Sequence, residues 1–183
     1  MYFKPTRYLT LAIKGNTKNL KIQYAGIQQL QYPFENKGKI SVPEATWIED
    51  LWHASTKTIN VCTTDAYTDN YRERRQYAQT GYYAALGNFF TFGDYALQRR
   101  YLVQIAQEQQ ANGLMPAYAP LTGDDFMVIL DSNCLWIRSL YSYLLYSGDY
   151  KTVKELLPFA ERLMKFLNSY TNKLEMIDSP PFA

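Results

Sequence analysis

Residues 92–95 read Phe-Gly-Asp-Tyr, and residues 147–150, 55 positions further along, read Ser-Gly-Asp-Tyr. In both stretches a glycine ends one amphipathic segment and an aspartate begins the next, which is the pattern of a helical hairpin. A hairpin buries only one face, so repeated hairpins must stack on neighbours or close into a ring before their core is complete. The repeat therefore predicts a stacked or ring-shaped helical architecture.

Apolar residues at spacings of three and four predict five helices around this repeat. Pro43-Glu44 supplies the start of the first helix, and Asn112-Gly113 supplies the end of the third. The predicted helices cover, in chain order, residues 47–55, 77–90, 95–110, 131–146 and 153–167. From Pro43 onwards the chain is therefore predicted to be helical.

The first 42 residues have a different character. Short, β-rich apolar stretches separated by turn signals predict three strands, at residues 7–13, 20–24 and 27–32. Three strands with free edges need partners, and residues 178–183 are a loop sequence. We therefore expect a piece of a longer protein, with residues 1–42 ending a sheet domain and residues 43–183 forming an incomplete helical ring.

Composition excludes several classes of protein. The chain has 183 residues, 47% of them hydrophobic, which is enough to bury a core. Nineteen Lys and Arg balance seventeen Asp and Glu, and the basic residues are scattered, so neither a nucleic-acid nor a membrane partner is expected. No apolar run approaches the roughly 18 residues of a membrane helix, and no charged start followed by an apolar stretch resembles a signal peptide. Two distant cysteines and one histidine support neither a disulfide framework nor a metal site.

The densest ionisable cluster lies at residues 65–77, where Asp69 and Glu73 stand among tyrosine and arginine side chains. Aromatic surface around a carboxyl group disfavours its anion and raises its pKa, which favours a proton donor, whereas a neighbouring guanidinium lowers that pKa. The alternative is that residues 72–75 are a solvated helix start with Glu73 in a salt bridge. Composition alone favours this alternative.

The order of these features resembles the bacterial α-L-rhamnosidase family. Residues 7–11 resemble the last strand of that family's β-sandwich, and residues 69–74 resemble its Asp-Cys-Pro-x-Arg-Glu-Arg segment. Further similar stretches are the helix at 47–55 with Thr58, the Gly-x-x-Pro loop at 113–118, Ile129-Leu130-Asp131, Leu135-Trp136, and Tyr146-Ser147-Gly148-Asp149. The resemblance implies a mainly α fold, a partial (α/α)6 toroid of the six-hairpin glycosidase type, preceded by a few β-strands of a β-sandwich.

The resemblance also implies a function and the residues that perform it. Glu73 matches the family's general acid of an inverting glycosidase, and the general base is a glutamate beyond the positions that match Ala183. The family releases terminal α-L-rhamnose from glycans or glycosides without a cofactor, and the 183-residue piece alone is expected to be inactive. The implied substrate-binding residues are Asp69 and Asp131 for ring hydroxyls, Arg72 for orientation, and Tyr77 and Trp136 for apolar sugar faces. Plain helix packing is the alternative for both aromatic residues.

Two departures from the family pattern bear on the function. The Cys-Pro pair is absent, and Thr80 stands where the family has a substrate-binding aspartate. These departures motivate a second hypothesis, a non-catalytic carbohydrate-binding or structural toroid protein. A helical-repeat interaction protein, which would bind no sugar, is a third. The sequence indicates neither the compartment nor the oligomeric state.

Overall fold

The computed structural model describes residues 8–68, 75–121, 123 and 126–178. Five helices account for its regular structure: α1 Thr46–Val61, α2 Ala78–Thr91, α3 Ala96–Gln107, α4 Leu130–Ser147 and α5 Tyr150–Ser169. The five predicted helices are therefore confirmed. Their ends shift by a few residues, most of all in α1, which continues six residues past the predicted end.

Two hairpin turns join the helices as the repeat predicts. Gly93 and Gly148 both adopt the left-handed conformation, with φ of 60° and 68°, which a residue with a Cβ adopts only at a cost. After each glycine an aspartate side chain accepts a hydrogen bond from the following backbone: Asp94 from the amide two residues on (2.9 Å) and Asp149 from the amide three residues on (3.0 Å). Helices α2–α3 and α4–α5 are thus two hairpins with similar Gly-Asp turns, and in the second the aspartate is the N-cap of α5.

Helices α2 and α4 lie side by side and run in the same direction. At their N-terminal ends both contact one loop, because the Ala78 amide donates to the Ala117 carbonyl (2.8 Å) and the Ala117 amide donates to the Met127 carbonyl (2.7 Å), just before α4. At their C-terminal ends the rings of Phe89 and Tyr146 stack 4.8 Å apart. Successive hairpins therefore stack in the same orientation, which is the arrangement of a helical toroid.

The main hydrophobic core lies where α3 packs against α4 and α5. Its largest fully buried side chains include Tyr101, Leu102, Trp136 and Leu163. Because each helix contributes one apolar stripe, the two hairpins complete each other's core, as the repeat requires.

Residues 8–32, for which the sequence predicts strands, contain no strand in the described chain. Apolar side chains there are exposed, for example Leu11 at 58% and Ile22 at 54%. A strand forms only where another backbone pairs with it along its length, and among the described residues a single backbone hydrogen bond, from the Tyr32 amide to the Thr63 carbonyl (2.9 Å), joins this stretch to another segment. The β-sandwich strands, and the domain boundary after residue 42, remain predictions.

The segment 32–38 is attached to the first hairpin at the C-terminal end of α2. The Tyr32 hydroxyl donates to the Asp94 carboxylate (3.1 Å), and the Phe34 ring stacks on Phe92 with 4.2 Å between centroids. The Gly38 amide donates to a carbonyl in the last turn of α2 (2.7 Å). We call this segment the strap.

Within the described ranges, no helix combines the length and the apolar character needed to cross a bilayer. Those same residues place no three His, Cys, Asp or Glu side chains close enough to share a metal ion. Neither Cys62 nor Cys134 forms a disulfide bond with another cysteine in the described part of the chain.

The second hairpin gives a testable prediction about stability. Hydrogen bonds from the Thr152 hydroxyl and amide and from the Tyr143 hydroxyl lower the pKa of Asp149 from 3.8 to about 2. We expect Asp149→Ala to reduce the free energy of unfolding by about 1–2 kcal/mol at pH 7, because a helix cap is lost. The folded-state pKa is depressed, so the carboxylate's contribution is complete above pH 4 and is lost as the pH falls towards 2.

Urea unfolding at pH 7 and at low pH measures this effect, with Asp149→Asn as the matched control. Asparagine caps a helix as well as aspartate does, so the control is expected to keep most of the stability while losing the acid dependence. A loss in Asp149→Ala that is the same at pH 7 and pH 2 contradicts the prediction.

Candidate active site

The N-terminal ends of α2 and α4, together with the loop 113–121, form one end of the stacked hairpins. Tyr77 directly precedes α2, and its backbone pairs with that of Tyr118 in the loop. Their rings lie 5.4 Å apart at an angle of 60°. Asp131 is in the first turn of α4, at the same end of the molecule, and is exposed. Two predicted site residues, Tyr77 and Asp131, therefore come to one end of the fold.

The loop between α3 and α4 is held rigidly at this end. The Asn133 side chain, 1% exposed, accepts from the Met115 amide (2.8 Å) and donates to the Met115 carbonyl (3.0 Å). Gly113 has φ of 103°, and a Cβ on it would lie 2.5 Å from the Arg162 carbonyl oxygen. The glycine of the Gly-x-x-Pro pattern is thus explained by a close approach to α5, and Asn133 ties the loop to α4.

Gln76 connects the start of α2 to two other elements. Its side-chain amide donates to the Gln104 side chain on α3 (2.9 Å) and to the Ala119 carbonyl in the loop (3.1 Å). Beside it, the Arg75 guanidinium lies 4.4 Å from the centre of the Tyr118 ring, a cation–π contact. Gln76 and Asn133 were not among the predicted site residues, because the sequence does not show which backbone groups an amide side chain will hydrogen-bond.

Glu73, Asp69 and Arg72, the predicted acid and two of its companions, lie outside the described residues. The described residues on either side are held in place. Before them, the Tyr67 side chain is 1% exposed and its hydroxyl accepts from the Asn88 amide (2.6 Å). After them comes Gln76, with the two hydrogen bonds described above. Both flanks of the acidic segment are therefore built into the helical core.

Trp136 has a different environment from the one the resemblance implies. The side chain is 0% exposed, and its indole N–H donates to the Leu102 carbonyl (3.2 Å). A ring with no accessible surface packs the core, which agrees with the packing alternative. Tyr77, in contrast, is only half-buried.

The arrangement favours carboxylate chemistry over a cysteine nucleophile. Asp131 lies at a helix N-terminus, where the helix dipole favours a negative charge. Burial, and then the charge of Asp131, raise the pKa of the Cys134 thiol one turn further on. The raised pKa disfavours the thiolate, which is the nucleophilic form of a cysteine.

Comparison with known proteins agrees with this geometry. Residues 37–180 match the family model described as the bacterial alpha-L-rhamnosidase 6 hairpin glycosidase domain. A solved structure, a rhamnosidase from Klebsiella oxytoca with rhamnose bound, is similar with a TM-score of 0.67 and 24% sequence identity. The similarity covers 74% of this chain and 27% of that chain, so the chain spans about a quarter of that rhamnosidase. A search of curated proteins found no match.

Proposed function

The chain belongs to the bacterial alpha-L-rhamnosidase six-hairpin glycosidase family, and from this premise we propose that it is part of a glycoside hydrolase that releases terminal α-L-rhamnose from glycans or glycosides. The observation that carries the proposal is that the paired rings of Tyr77 and Tyr118 lie at the same end of the hairpins as Asp131 in the first turn of α4. Both described flanks of the segment that holds Glu73 are anchored in the same helical body. An aromatic face and a carboxylate are the groups that a neutral sugar requires.

The proposed reaction is inverting acid–base hydrolysis. Glu73, as a neutral carboxylic acid, donates its proton to the glycosidic oxygen while the bond from that oxygen to the anomeric carbon breaks. A second carboxylate, roughly 6.5 to 9.5 Å away, takes a proton from the water that attacks the opposite face. We assign this second role to a glutamate that follows the residues matching Ala183 in the family.

The remaining residues hold the sugar. In the proposal, Asp69 and Asp131 accept hydrogen bonds from ring hydroxyls, and Arg72 orients these two carboxylates and tunes the acid. Tyr77 contributes a half-buried ring, and its contact with Tyr118 fixes the orientation of that ring. Trp136 is left out of the binding surface because it is fully buried.

The stereochemistry of the first product tests the proposal. We expect the protein, as its source organism makes it, to hydrolyse an aryl α-L-rhamnoside and to release the β-anomer of rhamnose first, because water attacks opposite the leaving group. Proton NMR during the first turnovers distinguishes the two anomers. An aryl β-D-glucoside is the matched control and is expected to remain intact.

Two results would contradict the proposal. If the α-anomer is released first, the mechanism is retaining and not inverting. If no rhamnose is released at all, the protein has only a binding role. In the same assay the 183-residue chain by itself is expected to release no rhamnose, since the proposed base is not among its residues. Rhamnose release by this chain would contradict that assignment of the base.

A non-catalytic toroid that binds or displays carbohydrate is the second candidate, and one observation favours it. Thr80 lies in the first turn of α2, three residues after Tyr77, where the family has a carboxylate. A hydroxyl group binds a sugar more weakly than a charged carboxylate does. Such a protein would bind rhamnose without turnover.

A further inference from the structure

Helix α1 packs on α2 through partly buried residues such as Ile59, exposes other apolar side chains, and carries a separate polar stripe. Trp47 and Leu51 are 65% and 57% exposed, and none of the residues of α1 is fully buried. On the opposite face, four polar residues follow the i, i+3, i+4, i+7 spacing of a single helical stripe: His53, Thr56, Lys57 and Asn60.

The polar stripe lines a cleft of about 270 Å³ between α1 and the chain that leads into the strap. The opposite wall is formed by the side-chain amides of Gln29, Gln31 and Asn36. Apart from the four stripe residues, Val61 completes the lining. None of these described lining residues is acidic, and the nearest carboxylates in the sequence, on Glu35 and Asp50, do not line the cleft.

Two oxygen atoms of the lining residues lack a hydrogen-bond partner. They are Thr56 Oγ1 and Asn60 Oδ1, which are buried and unpaired among the described residues. Two residues after Thr56, the Thr58 hydroxyl donates to the Ala54 carbonyl of its own helix (2.8 Å). Thr56 has the same opportunity on the same helix and does not use it. An unpaired buried oxygen destabilises the protein unless a partner arrives from outside, which indicates that this side of α1 is built for a polar ligand.

We propose that this cleft binds a sugar acid, a single uronate unit of a glycan. The amides and the Thr56 hydroxyl supply donors and acceptors for ring hydroxyls, the Lys57 ammonium supplies the positive charge that a carboxylate needs, and the His53 ring supplies a further N–H donor. The cleft volume suits one sugar ring rather than a chain of them. The choice of a sugar as the carrier of the carboxylate rests on the proposed function. The cleft and its positive charge are observed independently of that function.

Calorimetric titration of the 183-residue chain with D-galacturonate and D-glucuronate tests the inference. D-Galactose and D-glucose serve as neutral probes, and acetate as a carboxylate without a ring. We expect at least one uronate to bind at least about 10-fold more tightly than its neutral counterpart and than acetate. Lys57→Met is expected to weaken uronate binding about 10-fold, and Asn60→Asp to weaken it at least as much, because it places a negative charge in the cleft.

Lys154→Met, on the exposed side of α5, is the matched control and is expected to leave uronate affinity unchanged. Circular dichroism verifies that each variant folds. If acetate binds as tightly as the uronates, the ligand is not a sugar. If the neutral sugars bind as tightly as the uronates, the positive charge of the cleft plays no part in binding. If both cleft variants bind uronate with unchanged affinity, the binding site is not this cleft. The titration measures binding and does not depend on hydrolysis. Uronate binding without rhamnoside hydrolysis therefore supports the cleft proposal even if the hydrolase proposal fails. Rhamnoside hydrolysis without uronate binding overturns the cleft proposal and leaves the hydrolase proposal in place.

Discussion

Glu73→Gln is expected to lower kcat for rhamnoside hydrolysis by about 10²–10⁴-fold in the protein as its source organism makes it, since an amide cannot donate the proton that the leaving oxygen requires. Gln keeps the size and polarity of the side chain, so KM is expected to change little. Steady-state kinetics with aryl α-L-rhamnosides of different leaving-group acidity measure the effect. The most acidic phenols need the least protonation and are expected to lose the least activity.

The same kinetics separate the enzyme from the non-catalytic toroid. Glu155→Gln, an exposed glutamate on α5, is the matched control and is expected to keep full activity. If Glu73→Gln retains normal kcat with every leaving group, Glu73 is not the acid. If neither the natural protein nor the variant turns over but both bind rhamnose equally, the carbohydrate-binding alternative is the correct one.

Trp136→Ala is expected to reduce the free energy of unfolding by about 3–5 kcal/mol, the largest stability effect among the changes considered. The ring is 0% exposed in the core between α3 and α4, and truncation leaves a cavity. It also leaves the buried Leu102 carbonyl without the indole donor. Urea unfolding followed by circular dichroism measures the loss.

Trp136→Phe separates packing from sugar binding. Phe fills most of the volume and removes the indole N–H, so a smaller loss of stability is expected. If the ring only packs the core, the folded Phe variant binds rhamnose with unchanged affinity in the natural protein. A marked fall in rhamnose affinity with unchanged stability would instead place Trp136 at the sugar.

The helices could be predicted because their signals are local. The Gly-Asp turns at 93–94 and 148–149 and the apolar spacing of α5 are contained in short stretches of sequence, and the structure forms them there. Strands at 8–32 were predicted by equally short patterns. A strand, however, is stabilised by a partner elsewhere, and a local pattern carries no information about whether that partner pairs.

The site was predictable to a lesser extent, for a related reason. Tyr77 and Asp131 were identified through motifs, and the fold brings both to the same end of the molecule. The position of Trp136 in the helical pattern is compatible with a buried side chain and with an exposed one. Only the packing of α4 against α3 shows that the ring is buried. Gln76 and Asn133 act on backbone groups far away in sequence, which no motif reveals.

The strap has a consequence for how large molecules approach the protein. It is bonded to the last turn of α2 and to Asp94, whereas Tyr77 lies at the first turn of α2, at the far end of the same helix. Residues 32–38 therefore lie away from the entrance of the proposed site. In the proposal, the strap therefore does not decide between a branched polymer and a small glycoside, and we expect the loop 113–121 to contribute to such a preference.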